Sequence, residues 1–463
     1  MNKVIEEIKR LKAVKPLDWA KCLIWCHLYG FFVAWTGNWW LLLGMPLIFD
    51  AYVTKIIPWG WWKDLKNPVA RSVMSWVDTI VWCLLAVYMI NVFVFQNYQI
   101  PSSSLEKSLL VGDFLLVSKV DYGPRIPNTP IAFPLAHNTL PVVGGKSYLD
   151  KPLWKYKRLK GLRSIKRNDI VVFNFPAGDT IAYLQQNPDY YKWVSWNGWE
   201  AVNSNPNQYG KIMYRPVDRR ENFVKRLIGM PGDSLQIIAN QVYIDGKALP
   251  NPKKMQLDYI VQAKSVLSPK QFAELGVSKA DQRLVWVQND LGQNIPIYDR
   301  MPLTQEAYNL LTKSGWATAV TLIPDEAPNQ TYPYDYATGW SRDNFGPLWI
   351  PKKGETIVLN DETIALYRRC IENYEGNKLH RAGGKTFING VPANSYTFKM
   401  DYYFMLGDNR HESADSRYWG FVPEDHVVGT PVFIWLSLDK DKGWFSGKIR
   451  WNRVFHTVNS VAQ

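Results

Sequence analysis

Phe223-Val224-Lys225-Arg226-Leu227-Ile228-Gly229-Met230-Pro231-Gly232-Asp233 is the stretch on which the reading of this chain turns. Its alternation predicts a strand with Phe223, Lys225 and Leu227 on one face and Val224, Arg226 and Ile228 on the other. Met230-Pro231-Gly232-Asp233 then suits a type II turn, with Pro at i+1 and Gly at i+2. Lys225 is thereby set among apolar neighbours, which disfavour its charged form. To act as a base near pH 7 its pKa has to fall from ~10.4 to about 7, a differential of ~4 kcal/mol. The competing reading is a lysine that lies along the apolar face and keeps its ammonium in water.

Outward from this strand, short β-branched and aromatic runs recur between Gly, Pro and Asn. They fall at Phe114–Val120, Asp169–Phe173, Val242–Ile244, Phe387–Ile388, Tyr402–Leu406 and Val432–Leu436. Such spacing predicts a mostly-β domain rather than alternating βαβ units. Asp245-Gly246 and Asn389-Gly390 suit type I′ turns. A helix is expected over Pro269–Leu275 with Ser268 as its N-cap. The composition divides the chain into an anchor (1–95), a first catalytic part (96–250), an inserted second lobe (251–385) and a second part with the C-terminal tail (386–463).

The anchor holds three apolar stretches, Cys22 to Trp35, Trp39 to Ile57 and Val73 to Phe95, with Thr36-Gly37-Asn38 as a tight turn. The third is ~35 Å long as a helix, enough to span a bilayer with some tilt. Lys3, Lys9, Arg10, Lys12, Lys15 and Lys21 precede the first stretch, and Lys63, Lys66 and Arg71 precede the third. The positive-inside rule therefore predicts three transmembrane helices with a cytoplasmic N-terminus and everything after Phe95 outside. If the first two stretches form only a re-entrant hairpin, the third still exits outward.

Three further segments carry candidate chemistry. Ile100-Pro101-Ser102-Ser103-Ser104-Leu105 offers a nucleophile, and Ser104 follows Phe95 by nine residues, within ~30 Å of the membrane exit. Arg167-Asn168-Asp169-Ile170-Val171-Val172-Phe173 is a second strand. Gly407-Asp408-Asn409-Arg410-His411-Glu412-Ser413-Ala414-Asp415-Ser416-Arg417 packs many charges before an aromatic strand. By itself this run reads equally as a solvated turn of surface ion pairs worth little each.

In this order after a transmembrane helix, the four segments resemble the bacterial type I signal peptidases (leader peptidases), Ser–Lys serine proteases of the S26 type. The GDNR-x-x-S-x-DSR and KR-x-x-G-x-PGD runs carry the resemblance. It implies a signal-peptidase-like β fold outside the membrane with large insertions, including 124–162 and 177–219. It further implies a membrane-bound endopeptidase that removes signal peptides after small residues at −1 and −3. By position, Ser104 would be the nucleophile and Lys225 the general base. Ser102 would serve the oxyanion, and Ser413 would orient the lysine amine. Asp408, Arg410, Asp415, Arg417 and Arg226 would form an ion-pair scaffold. Ile100, Pro101, Leu105, Phe223 and Val224 would line pockets for small side chains. No metal or cofactor is implied. Ser103 stands where many members have Gly, and Leu105 where many have Met. The alternatives are a Ser–Lys membrane protease with another substrate and an inactive homologue that binds proteins in secretion.

Composition bounds the partners. Against 41 Asp+Glu stand 54 Lys+Arg, a net +13. Much of the excess lies in the anchor and no nucleic-acid-binding motif occurs, so nucleic acid is excluded in favour of lipid. Four cysteines, three of them in or beside the apolar stretches, predict no disulfide framework. The expected partners are signal peptides of secreted preproteins, membrane lipid and the secretion apparatus, in the bacterial inner membrane with the catalytic domain on the periplasmic side. The aromatic cluster Tyr190, Tyr191, Trp193, Trp196 and Trp199 reads either as a patch for lipid or secretion apparatus or as the core of a small lobe.

Overall fold

A computed structural model describes residues 14–140, 144–288 and 292–462. The basic residues Lys3, Lys9, Arg10 and Lys12 lie outside them. Helix α1 (Pro16–Thr36) ends at Gly37, whose φ of 62° is the left-handed turn expected there. The following segment does not form a second long helix. It forms one shorter, irregular apolar helix over Trp39–Thr54, whose winding changes at Met45 and again at Asp50. Pro46 withholds a helical donor, and Asp50 turns its carboxylate onto Thr54 Oγ1, Ile56 N, Ile57 N and Trp59 Nε1. The segment folds back on α1, where Tyr29 OH donates to Leu41 O at 2.6 Å and Lys55 meets Asp18 at 3.1 Å. Helix α2 (Pro68–Phe93) is capped by Asn67. Among the described residues it is the helix long and apolar enough to cross a membrane, so the expectation of three such helices is met by one.

The chain passes directly from α2 into an antiparallel eight-stranded sheet. Its strands are β1 (Phe95–Gln99), β2 (Asp113–Ser118), β3 (Ile170–Asn174), β4 (Asn222–Gly229), β5 (Tyr402–Leu406), β6 (Val422–Pro423) and β7 (Val427–Ser437), in the order β1-β2-β7-β3-β4-β5-β6, with His456–Thr457 added beside β7. Every strand of the expected list that belongs to this sheet is present, with ends shifted by a few residues. Strand β3 is buried along its whole length because it has a core on each face. Ile170 and Val172 join Ile100, Leu105, Leu115 and Ile434. Val171 and Phe173 join Leu227, Met405 and Trp419.

The expected lobe over 251–385 resolves into two pieces. Strands Gln256–Ala263, Leu284–Gln288, Asn294–Thr304 and Ala317–Leu322 form their own sheet around Val261, Phe272, Tyr298 and Leu311. The helix Pro269–Leu275 sits there with the Ser268 cap and a reciprocal bond from Gln271. From Phe345 the chain rejoins the catalytic side, where Phe345–Trp349 pairs with Ser234–Ile238. The shared core of Leu235, Phe345, Phe398 and Phe404 makes this stretch continuous with the first catalytic part. In the 177–219 insertion the aromatics divide. Tyr190 is core with Val202 and Tyr209, and Tyr191 and Trp193 pack against it. Trp196 and Trp199 are exposed.

Gly112 joins the serine segment to β2 with φ of 90°, and a Cβ there would meet the Leu438 carbonyl oxygen at 2.0 Å. Gly112→Ala is expected to cost at least ~1–3 kcal/mol, read as a lower melting temperature in detergent by circular dichroism.

Candidate active site

Strand β4 places Lys225 by pairing on both sides, Val171 opposite Lys225 on β3 and Leu406 opposite Arg226 on β5. The turn after it forms as expected, with Asp233 N donating to Met230 O and Gly232 at φ 94°. Ser104 sits in the single helical turn Ser103–Leu105. Two contacts fix this turn against the charged loop. Asn409 N donates to Ser104 O at 3.1 Å, and Gly407 packs so closely that a Cβ on it would lie 2.6 Å from the same oxygen.

The result brings Lys225 Nζ within 2.7 Å of Ser104 Oγ, both residues buried. The water-exposed reading of Lys225 is thereby excluded. Burial pushes its amine down to about 8, aided by the Arg417 charge and opposed by Asp415 and Asp408. The ammonium head also lies 5.7 Å from the centre of the Phe223 ring.

The charged loop is no surface network, since Asp408, Arg410, Asp415 and Arg417 are each at most 1% exposed. Arg226 grips Asp408 with Nε at 2.7 Å and Nη2 at 2.6 Å. Arg417 grips Asp415 with Nε at 2.9 Å and Nη2 at 2.8 Å. Such two-point pairs fix orientation as well as charge. Burial raises the Asp415 pKa, and the adjacent guanidinium outweighs it, so the carboxyl stays below its ordinary range. Arg410 departs from the expected scaffold. It donates to the carbonyls of Gly407 and Asn240 rather than to a carboxylate, because Asp408 is already taken by Arg226 and Ser108 and Asp415 by Arg417 and Gly407 N. Burial and the neighbouring Arg417 push its guanidinium down to about 10.

Ser102 and Ser413 both line the cleft above the dyad. Ser102 is exposed to it. The Ser413 hydroxyl is buried without a hydrogen-bond partner among the described residues, so it makes no bond to the lysine amine. The cleft has a volume of ≈ 680 Å³ and an aromatic wall of Phe175, Phe223 and Trp419. Of the five residues expected to line it, Phe223 does so. Ile100 and Leu105 are core residues and Val224 packs against them, since alternation turns Val224 to the sheet face opposite Phe223. Pro101 is exposed beside the serine turn.

Residues to which the sequence reading gave no part in the Ser–Lys site complete it, His411 and Glu412 having been read there only as possible metal ligands with Asp408 and Asp415. Ser108 Oγ donates to Asp408 Oδ2 at 2.6 Å. His411 is buried, accepts from Asp258 N at 3.2 Å, and sets Nε2 3.3 Å from Asp343. Burial raises Asp343, but His411 and Arg342 hold its carboxyl well below the usual range. Arg300 bridges Asp258 and Glu412 at 2.6 and 2.7 Å. Ser108 stands only three residues beyond the serine segment. Asp258, Arg300 and Asp343 come from far along the chain, and no local pattern marks them.

Asp415→Asn keeps the shape of the side chain but leaves the Arg417 guanidinium buried and unpaired. A loss of ~3–5 kcal/mol is expected, measured by thermal unfolding in detergent; an unchanged transition would mean that the pair does not hold the loop.

A family model described as "Signal peptidase, peptidase S26" matches residues 73–287 and 350–436. The chain is 53% identical over 366 residues to "Signal peptidase I" of Aquifex aeolicus, covering 76% of this chain and 80% of the relative. It is 24% identical over 423 residues to the protein of that name from Buchnera aphidicola subsp. Baizongia pistaciae, covering 90% and 94%. With that of Haemophilus influenzae it shares 23% identity over 405 residues, covering 86% and 78%. With a buried serine–lysine pair set between two arginine-clamped carboxylates, and with these matches over most of its length, the chain belongs to the signal peptidase family, peptidase S26.

Proposed function

We propose that Ser104 and Lys225 are the catalytic dyad of a membrane-bound type I signal peptidase. The chain is a serine endopeptidase that removes signal peptides from preproteins. The observation that carries the dyad is the 2.7 Å contact between a buried hydroxyl and a buried amine pushed down to about 8.

In the proposed cycle the neutral Lys225 amine takes the Ser104 proton as Oγ attacks the scissile carbonyl carbon. The Ser104 N–H and the Ser102 hydroxyl stabilise the oxyanion, worth ~3 kcal/mol for each donor. The lysine ammonium then protonates the leaving amine, the new N-terminus of the mature protein. Water attacks the acyl-Ser104 ester as Lys225 takes its proton, and Lys225 returns that proton to the departing Ser104 Oγ, which frees the signal peptide as its carboxylate. Ser413 is a positioning residue through its packing against Gly407. Small residues are accepted at −1 and −3.

For the anchor we propose a multi-pass arrangement in the bacterial inner membrane with the β domain on the periplasmic side. Four contacts support it. Asp18 and Lys55 pair at one end of the folded-back pair. Phe32 packs edge-on to Phe93 at the other, with ring centroids 5.2 Å apart. Next to that second end, Lys157 Nζ donates to Thr36 O and Trp35 Nε1 to Lys160 O. α1 and the irregular helix Trp39–Thr54 then lie in the membrane beside α2. Exposed Trp196 and Trp199 present a face for lipid or the secretion apparatus.

Ser104→Ala and Lys225→Ala are each expected to abolish cleavage of a preprotein with Ala-x-Ala before its mature start, followed by mass spectrometry. Ser103→Ala retains it; survival in Ser104→Ala with loss in Ser103→Ala would move the nucleophile by one residue. Because the base works unprotonated and protons occupy it below about 8, kcat/KM should rise about tenfold per pH unit below that value and level off above it. A profile flat from pH 6 to 9 would remove Lys225 as the base.

A further inference from the structure

A second cavity, of ≈ 390 Å³, lies where α2 meets the β domain, away from the dyad. One wall is the last two turns of the helix, including Tyr88, Asn91 and Val92. At ~1.5 Å per residue α2 is ~39 Å long, against a hydrocarbon core of ~30 Å, so its terminal turn stands at headgroup depth. The opposite wall belongs to the 124–162 insertion, which Tyr88 OH reaches at Pro130 O.

Three cations line the cavity, and their hydrogen bonds go to neutral acceptors. Lys119 Nζ donates to Asn91 O at 2.6 Å. Arg125 donates to Asn174 Oδ1 at 3.0 Å and to the Asp425 carbonyl. Arg219, 8% exposed, donates to Thr129 Oγ1 at 2.7 Å and to His137 O at 2.9 Å. The carboxylate among the lining residues is Asp218. Its Oδ2 accepts from Thr129 N and Oγ1, and its Oδ1 is buried with no partner among the described residues. The cavity thus holds an excess of positive charge and one unused acceptor. Of the lining residues, Phe133 and Leu135 are 52 and 69% exposed, and the nearby Ile131 is 51% exposed.

We infer that this cavity binds the headgroup of a phospholipid of the leaflet from which α2 emerges, with the phosphodiester on Lys119, Arg125 and Arg219 and a headgroup hydroxyl or ammonium on Asp218 Oδ1. Ile131, Phe133 and Leu135 then rest on the acyl chains. Burial, with Arg125 nearby, pushes the Lys119 amine down to about 7, and a phosphate anion beside it relieves that cost. The volume suits one headgroup. The inference rests on α2 crossing the membrane and is independent of the dyad.

The test is lipid retention by the full chain in nanodiscs and after transfer to detergent. Spin-labelled phosphatidylglycerol, phosphatidylethanolamine and phosphatidylcholine report immobilised lipid. Phosphatidylcholine has the phosphate but no O–H or N–H donor for Asp218. The wild-type chain is expected to immobilise the first two lipids in preference to the third. Lys119→Gln is expected to weaken phosphatidylglycerol retention about fivefold, the equivalent of ~1 kcal/mol for one lysine at a membrane surface. Phe133→Ser with Leu135→Ser should weaken it without touching a charge, and the melting temperature of each variant checks its fold. Equal retention of all three lipids, or retention unmoved in both variants, overturns the inference. Displacement of the lipid by millimolar inorganic phosphate overturns it in favour of a soluble-anion site. Preprotein cleavage by the wild-type chain in detergent is measured in parallel, so a failed peptidase reading is told apart from a failed lipid site.

Discussion

The removal of one ammonium group from water governs this protein. Lys225 lies on a strand with neighbours on both sides, under an aromatic wall, with its nitrogen against Ser104 Oγ. Held in bulk solvent, the amine would keep its proton at neutral pH and would be no base. Burial alone favours the neutral form, and the nearby Asp415 and Asp408 work against it. The site resolves this conflict by giving each carboxylate its own guanidinium. Arg417 and Arg226 absorb the negative charge that would otherwise hold a proton on the lysine.

That arrangement explains why so many charged residues are buried in one loop. Buried ion pairs add little net stability in general. Here they set a potential and fix a backbone. The Gly407 N–H bonds Asp415, and the Asn409 N–H bonds the carbonyl of Ser104. The loop is therefore a mould for the serine turn. The inserted lobe extends the mould, since Gln256 N donates to Asp408 O, Arg410 N to Gln256 O, and Asp258 and Arg300 clamp His411 and Glu412. An insertion distant in sequence thus braces the charged loop from behind.

Much of this was legible in the sequence, for local reasons. Period-2 alternation placed Lys225 with Phe223 and Leu227, and Pro231-Gly232 fixed the turn. Asp245-Gly246 and Asn389-Gly390 adopt the positive φ angles that type I′ turns need. The Ser268 cap announced its helix. What was not legible depends on distance or on competition. Arg410 carries the same charge as Arg417, yet it finds carbonyls because its neighbours occupy the carboxylates first. Val224 was expected in the cleft beside Phe223, although adjacent strand residues cannot share a face. The apolar run from Trp39 hides a fold-back held by Tyr29 on Leu41 O and Asp18 on Lys55, and a chain end tied by four hydrogen bonds to Asp50, and hydropathy does not register such a bond pattern.

Between the end of α2 at Phe93 and the start of β1 at Phe95 stands a single residue, Val94, whose carbonyl is itself bonded by Lys119 N. The joint leaves no slack. The β domain joins the helix through no linker, and the same strand that continues α2 is already paired in the sheet. A change in the tilt of α2 is therefore handed on to β1, the strand that leads into the serine turn, instead of being lost in a linker.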